Sequence, residues 1–139
     1  MEIIKIKLSE VVNAPVQSTE GSVGYDLYAS SDPEIIKDRL VYSTGVFLDL
    51  PNNIYATLHA RSSIYMYGLI LANSVGIIDS DYRGELKVIF YTQKDYIPYK
   101  MGDRIAQLIF HYKVPTKLEF VSEISETKRG VGGFGSTGL

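Results

Sequence analysis

Two carboxylates one residue apart, Asp79 and Asp81, stand in the segment Gly76-Ile-Ile-Asp-Ser-Asp-Tyr-Arg-Gly84. In an extended segment they would point to the same side; in a tight turn, which Asp, Ser and Gly favour, they need not. Ile77 and Ile78 suggest that Asp79 ends a buried stretch, where a carboxylate can orient and deprotonate a water. Arg61-Ser62-Ser63 offers a guanidinium, two hydroxyls and adjacent amides, a set suited to an oxyanion, although a helix cap beside a surface arginine uses the same residues. Asp26, in Gly24-Tyr-Asp-Leu27, is a lone acid in an apolar setting, where a carboxylate must be paired or meet a metal. Gln107 sits inside an apolar run, where an amide needs partners, and the adjacent Asp103 and Arg104 are expected to pair with each other.

The last eleven residues, Arg129-Gly-Val-Gly-Gly-Phe-Gly-Ser-Thr-Gly-Leu139, hold five of the twelve glycines. Such a segment is costly to order. It nevertheless presents amides, hydroxyls, a guanidinium and an aromatic ring, equipment for wrapping a phosphorylated, ring-bearing ligand. A frayed terminus is the alternative. It is not a P-loop, because no lysine precedes Ser136 and no helix can follow. The two histidines, His59 and His111, lack HxxxH or HxH spacing and read as ordinary strand residues. No Ser/His/Asp set or nucleophile elbow is present.

The elements that must position these groups read as strands. Ile4, Ile6 and Leu8 alternate with lysines; Ile54, Ala56 and Leu58 precede Arg61; Leu86, Val88 and Phe90 share a face; Ile105, Leu108 and Phe110 mark another run. Ser31-Asp-Pro33, Pro51-Asn-Asn53, Gln93-Lys-Asp95 and Met101-Gly-Asp103 supply turns between them. The spacing predicts an all-β sandwich or barrel, of Greek-key or jelly-roll topology, with one short helix near Ser62–Tyr67 capped by Ser62 or Ser63. At 139 residues, 45% apolar and 22% charged, the chain suits one globular domain. No stretch is long and apolar enough to span a bilayer, and the N-terminus lacks signal-peptide features, so a soluble, intracellular protein is expected. The absence of cysteine excludes disulfides and thiolate chemistry, and a net charge of -2 argues against direct nucleic-acid binding.

In order and spacing, five segments resemble the trimeric deoxyuridine triphosphatases: VGYDLYAS (Val23–Ser30), ARSSI (Ala60–Ile64), ANSVGIIDSDYRGEL (Ala72–Leu86), GDRIAQLIF (Gly102–Phe110) and RGVGGFGSTG (Arg129–Gly138). The resemblance implies a jelly-roll homotrimer whose three active sites are each assembled from three chains. It implies hydrolysis of dUTP to dUMP and pyrophosphate, limiting uracil incorporation into DNA and supplying dUMP for dTMP synthesis. It implies a barrel domain over residues 1–128 and a lid over 129–139.

By the same resemblance, Asp79 would activate the water that attacks the α-phosphorus. Mg²⁺ would be held mostly by the triphosphate, with Asp26 reaching it through water. Arg61, Ser62, Ser63 and Gln107 would hold the phosphate chain. Asn73 and backbone groups near it, with Gly76 and Ile78, would bind uracil's edge, and Tyr82 would pack on the deoxyribose and exclude a ribose. From the tail, Arg129, Gly135, Ser136 and Thr137 would grip the phosphates, and Phe134 would cover the base. Ser63 stands where the family more often has glycine, and Ile64-Tyr65 where it has Leu-Ala. Asp32–Arg39 carries no motif and is expected to be a variable loop. A dCTP deaminase of the same fold and a nucleotide-binding regulator are the rival readings.

Overall fold

The computed structural model describes residues 1–9 and 12–134. Nine strands form two sheets whose pairings are all antiparallel. In one sheet, β1 (Lys5–Leu8), β4 (Arg39–Asp49), β8 (Glu85–Thr92) and β6 (Leu69–Leu71) neighbour one another in that order, with β3 (Glu34–Ile36) also paired to β4. In the other, the order is β2 (Tyr25–Tyr28), β9 (Arg104–Tyr112), β5 (Ile54–Ala60) and β7 (Gly76–Ile78). Two facing sheets are the expected sandwich. Among the described residues they do not close into a continuous barrel.

Period-two alternation builds the core. Leu86, Val88 and Phe90 of β8 point inward while Lys87, Ile89 and Tyr91 point outward. Ile54, Ala56 and Leu58 of β5, with Leu108 of β9, meet them from the other sheet in a single apolar cluster. Tyr42, Phe90 and Tyr99 fill its centre with mutually edge-on and tilted rings. Strand β4 carries a bulge between Ser43 and Phe47. There Gly45 has φ +67°, and a side chain would come within 2.6 Å of Val12 Cγ1, so glycine is required twice over.

Two local expectations need correction. The turn Ser62–Tyr67 is helical but of the 3-10 kind, and its cap position is Arg61, with no side-chain capping bond from either serine. The segment Asp32–Arg39 is a hairpin rather than a loop, since β3 pairs with the start of β4 around Lys37, whose φ of 57° supplies the reversal. After β9 the chain leaves the sandwich, and every residue from Tyr112 to Val131 is exposed.

Candidate functional site

Strand β2 places Asp26 opposite Gln107 of β9, and β9 places Gln107 opposite His59 of β5, two residues before Arg61. Asp26 is only 8% exposed. Its Oδ1 accepts a bond from Arg61 Nε at 3.2 Å, and its Oδ2 accepts bonds from Ser18 Oγ at 2.9 Å and Arg104 Nη1 at 3.1 Å. The lone acid is therefore paired, twice, and the expected Asp103–Arg104 pair does not form. Asp103 instead accepts a bond from the Lys100 amide at 2.7 Å. Two guanidiniums against one carboxylate leave this corner with a positive balance.

That corner opens into a polar cavity of about 260 Å³ lined by Ser18, Ser22, Val23, Gly24, Asp26, Arg61, Ser62 and Gln107. Gln107 is held by donating to the Ala60 carbonyl at 3.1 Å. Gly24 lies so close that a methyl there would overlap Gln107 Oε1, so the glycine is what admits the amide. Ser63 does not line this cavity. Ser18 and Ser22 line it, and Arg104 reaches its edge by bonding Asp26 and Ser18, although none of the three carried a site role in the sequence. A hydroxyl-rich stretch just ahead of Val23 was the available signal for the serines.

The other sequence-marked residues lie beyond β5's opposite neighbour. β7 pairs with β5 so that Gly76 faces Leu58. A side chain at Gly76 would bring its Cβ to 3.2 Å from both Leu58 Cβ and Asn73 Nδ2, tighter than ordinary contact. Asn73, Gly76 and Ile78 help to line a cavity of about 240 Å³, closed by Leu58, Leu71, Ala72, Ile77, Lys87 and Ile89. Next to it, Asp79 and Tyr82 line a second cavity of about 320 Å³, which shares Ile77, Ile78 and Lys87 with the first. Asp81 lines neither.

The segment holding Asp79 is a turn, closed by the Tyr82 amide donating to the Asp79 carbonyl at 3.2 Å. It is braced from outside. Arg83 donates to the Ser80 carbonyl at 2.8 Å and to Asp49 Oδ1 at 2.7 Å, and Lys113 Nζ donates to the buried Ser80 hydroxyl at 2.8 Å. Tyr82 is pinned over Gly84 by its hydroxyl, which donates to the Glu85 carbonyl at 3.1 Å. The Asp79 carboxylate itself has no hydrogen bond or ion pair among the described residues and is exposed. The expected buried stretch ahead of it is not there in the single chain. Alternation turns Ile77 outward, where it is 69% exposed, and only Ile78 inward.

The polar corner and the two hairpin cavities have no lining residue in common. Nor do Arg129 and Phe134 reach any of them. Among the described residues Arg129 Nε bonds the Gly132 carbonyl alone, at 2.8 Å, and Phe134 is 114% exposed. Gly135, Ser136 and Thr137 lie outside the described residues. Both histidines are strand residues as expected, and they also share the Thr57 hydroxyl, at 2.7 Å from His59 Nε2 and 2.8 Å from His111 Nε2.

Among the described residues no three carboxylates or histidines converge to cage a metal. A Mg²⁺ that brings most of its own oxygens still fits the polar corner. Asp26 Oδ1 accepts one bond and keeps a lone pair. A bound water could use that lone pair without displacing either arginine.

A dUTPase family model matches residues 10–138. The deoxyuridine 5'-triphosphate nucleotidohydrolase of Paramecium bursaria Chlorella virus 1 is 46% identical over 138 residues, covering 96% of this chain and 95% of its own. The same-named protein of Hydrogenobaculum sp. (strain Y04AAS1) is 36% identical, over 100% and 99%. In fold, the dUTPase of Staphylococcus bacteriophage 80alpha with dUPNHPP superposes with a TM-score of 0.80 at 24% identity, over the whole of both chains. A variant dUTPase of phage phi11 of S. aureus, described with a structural Mg(II) ion, gives 0.69 at 20% identity, over 88% of this chain and 98% of its own. With its motifs, its two-sheet fold and its nearly full-length match to these relatives, the chain belongs to the dUTPase family.

Proposed function

We propose that this protein hydrolyses dUTP to dUMP and pyrophosphate at a site assembled between copies of the chain. The observation that carries the reading is the Asp79 carboxylate, unbonded among the described residues, on a braced turn: it lines one cavity with Tyr82, next to a second cavity lined by Asn73. A carboxylate held in place, free of partners and open to solvent, can take a proton from a water. The water oxygen bonds to the α-phosphorus while the bridging oxygen to the β-phosphorus leaves with pyrophosphate. The proton passes to Asp79 and then to solvent.

The remaining roles are the ones the family's motifs imply for these residues. Arg61, Ser62 and Gln107 hold the phosphate chain in the positively balanced corner, where positioning and charge neutralisation do most of the work of phosphoryl chemistry. Asp26 keeps Arg61 and Arg104 aimed and would hold Mg²⁺ through a bound water. Mg²⁺, when bound with the triphosphate, supplies charge neutralisation. Asn73, with the backbone at Gly76 and Ile78, reads the uracil edge. A cytosine there would leave buried donors and acceptors unpaired, an expensive error. Tyr82 packs on the sugar and leaves no room for a 2′-hydroxyl. Residues 129–139 act as a lid: Arg129, Ser136 and Thr137 on the phosphates, with Gly135 beside them, and Phe134 over the base, where stacking contributes on the order of 1–3 kcal/mol.

A homotrimer accounts for the separation of the half-sites, because one chain's hairpin, another's polar corner and a third's tail can then converge. The exposed Val75 and Ile77 beside the hairpin support contact with another chain. Pyrophosphate release measured across dUTP, dTTP, dCTP and UTP with Mg²⁺ tests activity, base choice and sugar choice at once. Turnover of dUTP alone is expected. Ammonia released from dCTP would establish the deaminase instead, and tight nucleotide binding without any product would establish a regulator.

A further inference from the structure

We infer that Lys113 is a positioning residue for the turn that carries Asp79, its ammonium reaching across β5 to hold the buried Ser80 hydroxyl; the inference rests on the reading of Asp79 as the general base. Lys113 directly follows β9 and begins the exposed segment that leaves the sandwich. Its amide donates to the Asn53 carbonyl at 2.8 Å, which ties its backbone to the turn ahead of β5. Its side chain leads elsewhere. Nζ donates to Ser80 Oγ at 2.8 Å, and Ser80 lies just beyond β7, on the other edge of β5. Neighbouring strands are about 4.8 Å apart, so the span from β9 to β7 is about 10 Å and only a long side chain crosses it.

Ser80 is where such a strut has most effect. It stands between Asp79 and Asp81 and is 9% exposed, whereas both aspartates face solvent. The serine is therefore the inward anchor of the turn, and its neighbours take their direction from it. Arg83 Nη1 holds its carbonyl at 2.8 Å, and Lys113 holds its hydroxyl. A cation this near two acids could silence the base by pairing with it. Lys113 pairs with neither: among the described residues the ion-paired carboxylates are those of Asp26, Asp38 and Asp49. A lysine present only for solubility would keep its ammonium in water rather than on a neutral, buried hydroxyl. Lys113 thus fixes the turn while leaving Asp79 free to take a proton.

Lys113→Met keeps the stem and removes the donor, which strands the buried Ser80 hydroxyl. Ser80→Ala removes the acceptor and leaves Lys113 to water. Lys113→Met should therefore lower kcat for dUTP about ten-fold, the effect of a buried unpaired hydroxyl, and Ser80→Ala about three-fold, nearer that of one net hydrogen bond. KM should stay within about two-fold of the parent, because neither residue is placed on the nucleotide. The double variant should recover toward Ser80→Ala, since no stranded hydroxyl remains. Lys113→Arg, which keeps a donor on a long stem, should stay within about three-fold of the parent. An unchanged kcat in Lys113→Met, a loss confined to KM, a double variant whose loss is the product of the singles, or an arginine no better than methionine would each overturn the inference. Hydrogen exchange reads the same strut without turnover. The Tyr82 amide, bonded to the Asp79 carbonyl, should exchange about ten-fold faster in Lys113→Met. If the parent protein released no pyrophosphate from dUTP, the function would be wrong. Faster exchange at Tyr82 would then still uphold the strut, and unaltered exchange would reject it.

Discussion

Replacing Gly84 with alanine separates the site from the fold more cleanly than any change to a site residue. The new methyl would overlap the Tyr82 hydroxyl and come to 2.5 Å from Cζ and 2.9 Å from Cε2. Ordinary carbon contacts start near 3.5 Å, so the ring must swing by about 1 Å. The swing sacrifices the Tyr82–Glu85 hydrogen bond, which on an exposed side chain is worth about 0.5–1 kcal/mol. Against that, alanine restricts the unfolded chain, a stabilisation of about 0.4–1 kcal/mol where the native φ is compatible, and Gly84 is not among the positive-φ residues. The two effects nearly cancel, so Tm should move by less than about 3 °C. Activity should not be spared. Displacing a wall of the sugar pocket by about 1 Å can cost as much as about 10²-fold. We therefore expect kcat/KM for dUTP to fall about 10- to 100-fold while that for UTP falls less, shrinking the preference for the deoxy sugar. A variant with parental dUTP/UTP selectivity would refute the role given to Tyr82. A large drop in Tm would refute the local accounting.

Asp79→Asn should keep nucleotide affinity and lose about 10²- to 10⁴-fold in kcat, measured by pyrophosphate release; substantial turnover would remove Asp79 as the base. Deleting Gly130–Leu139 should leave Tm and oligomeric state unchanged and abolish most activity. The hydrogen bonds the segment forms through Gly132 stay within Thr127–Gly132, so aggregation or dissociation would assign it a structural role. Stability should fall as pH rises above about 10. Burial pushes the Tyr42 and Tyr99 phenols up, so the folded protein keeps protons that the unfolded chain releases there. The stabilisation is complete below the ordinary tyrosine pKa and is lost on the way to the raised one. Tyr42→Phe should flatten the alkaline limb of Tm against pH, and an unchanged limb would assign it to other groups.

What the sequence disclosed depended on how far apart the partners lie along the chain. Leu86, Val88 and Phe90 declare β8 by their period alone, and the glycines and aspartates mark the turns. Asp26 could be read as an acid that needs a partner. Arg104 could not be read as that partner, because the two are 78 residues apart and meet only through the pairing of β2 with β9. The nearer Asp103 drew the expectation instead. Ile77-Ile78 looked like a buried pair because both are apolar, yet a strand must turn one of two neighbours outward. Asp32–Arg39 lacked any motif, and its short hairpin is held by β4 rather than by its own pattern. Ser62 and Ser63 are chemically alike in the sequence; only the fold turns one to the cavity and leaves the other out of its lining.

β5 ties the two half-sites together, since it ends at Arg61's corner and pairs with β7 along its other edge. Within one chain that strand lies between the halves, so on the proposed reading a complete site would combine the hairpin of one copy with the corner of another. Subunit mixing decides the point. Asp79→Asn destroys the hairpin half only, and Arg61→Met the corner half only, with Arg104 still on Asp26. Each homotrimer should be inactive. After co-refolding in equal amounts, about one quarter of the sites in random trimers should combine an intact hairpin with an intact corner from different chains, and activity should return to about that fraction of the parent's. If each site were built within a single chain, no mixture could contain an intact one. A mixture that stays dead while forming trimers would therefore refute the shared site.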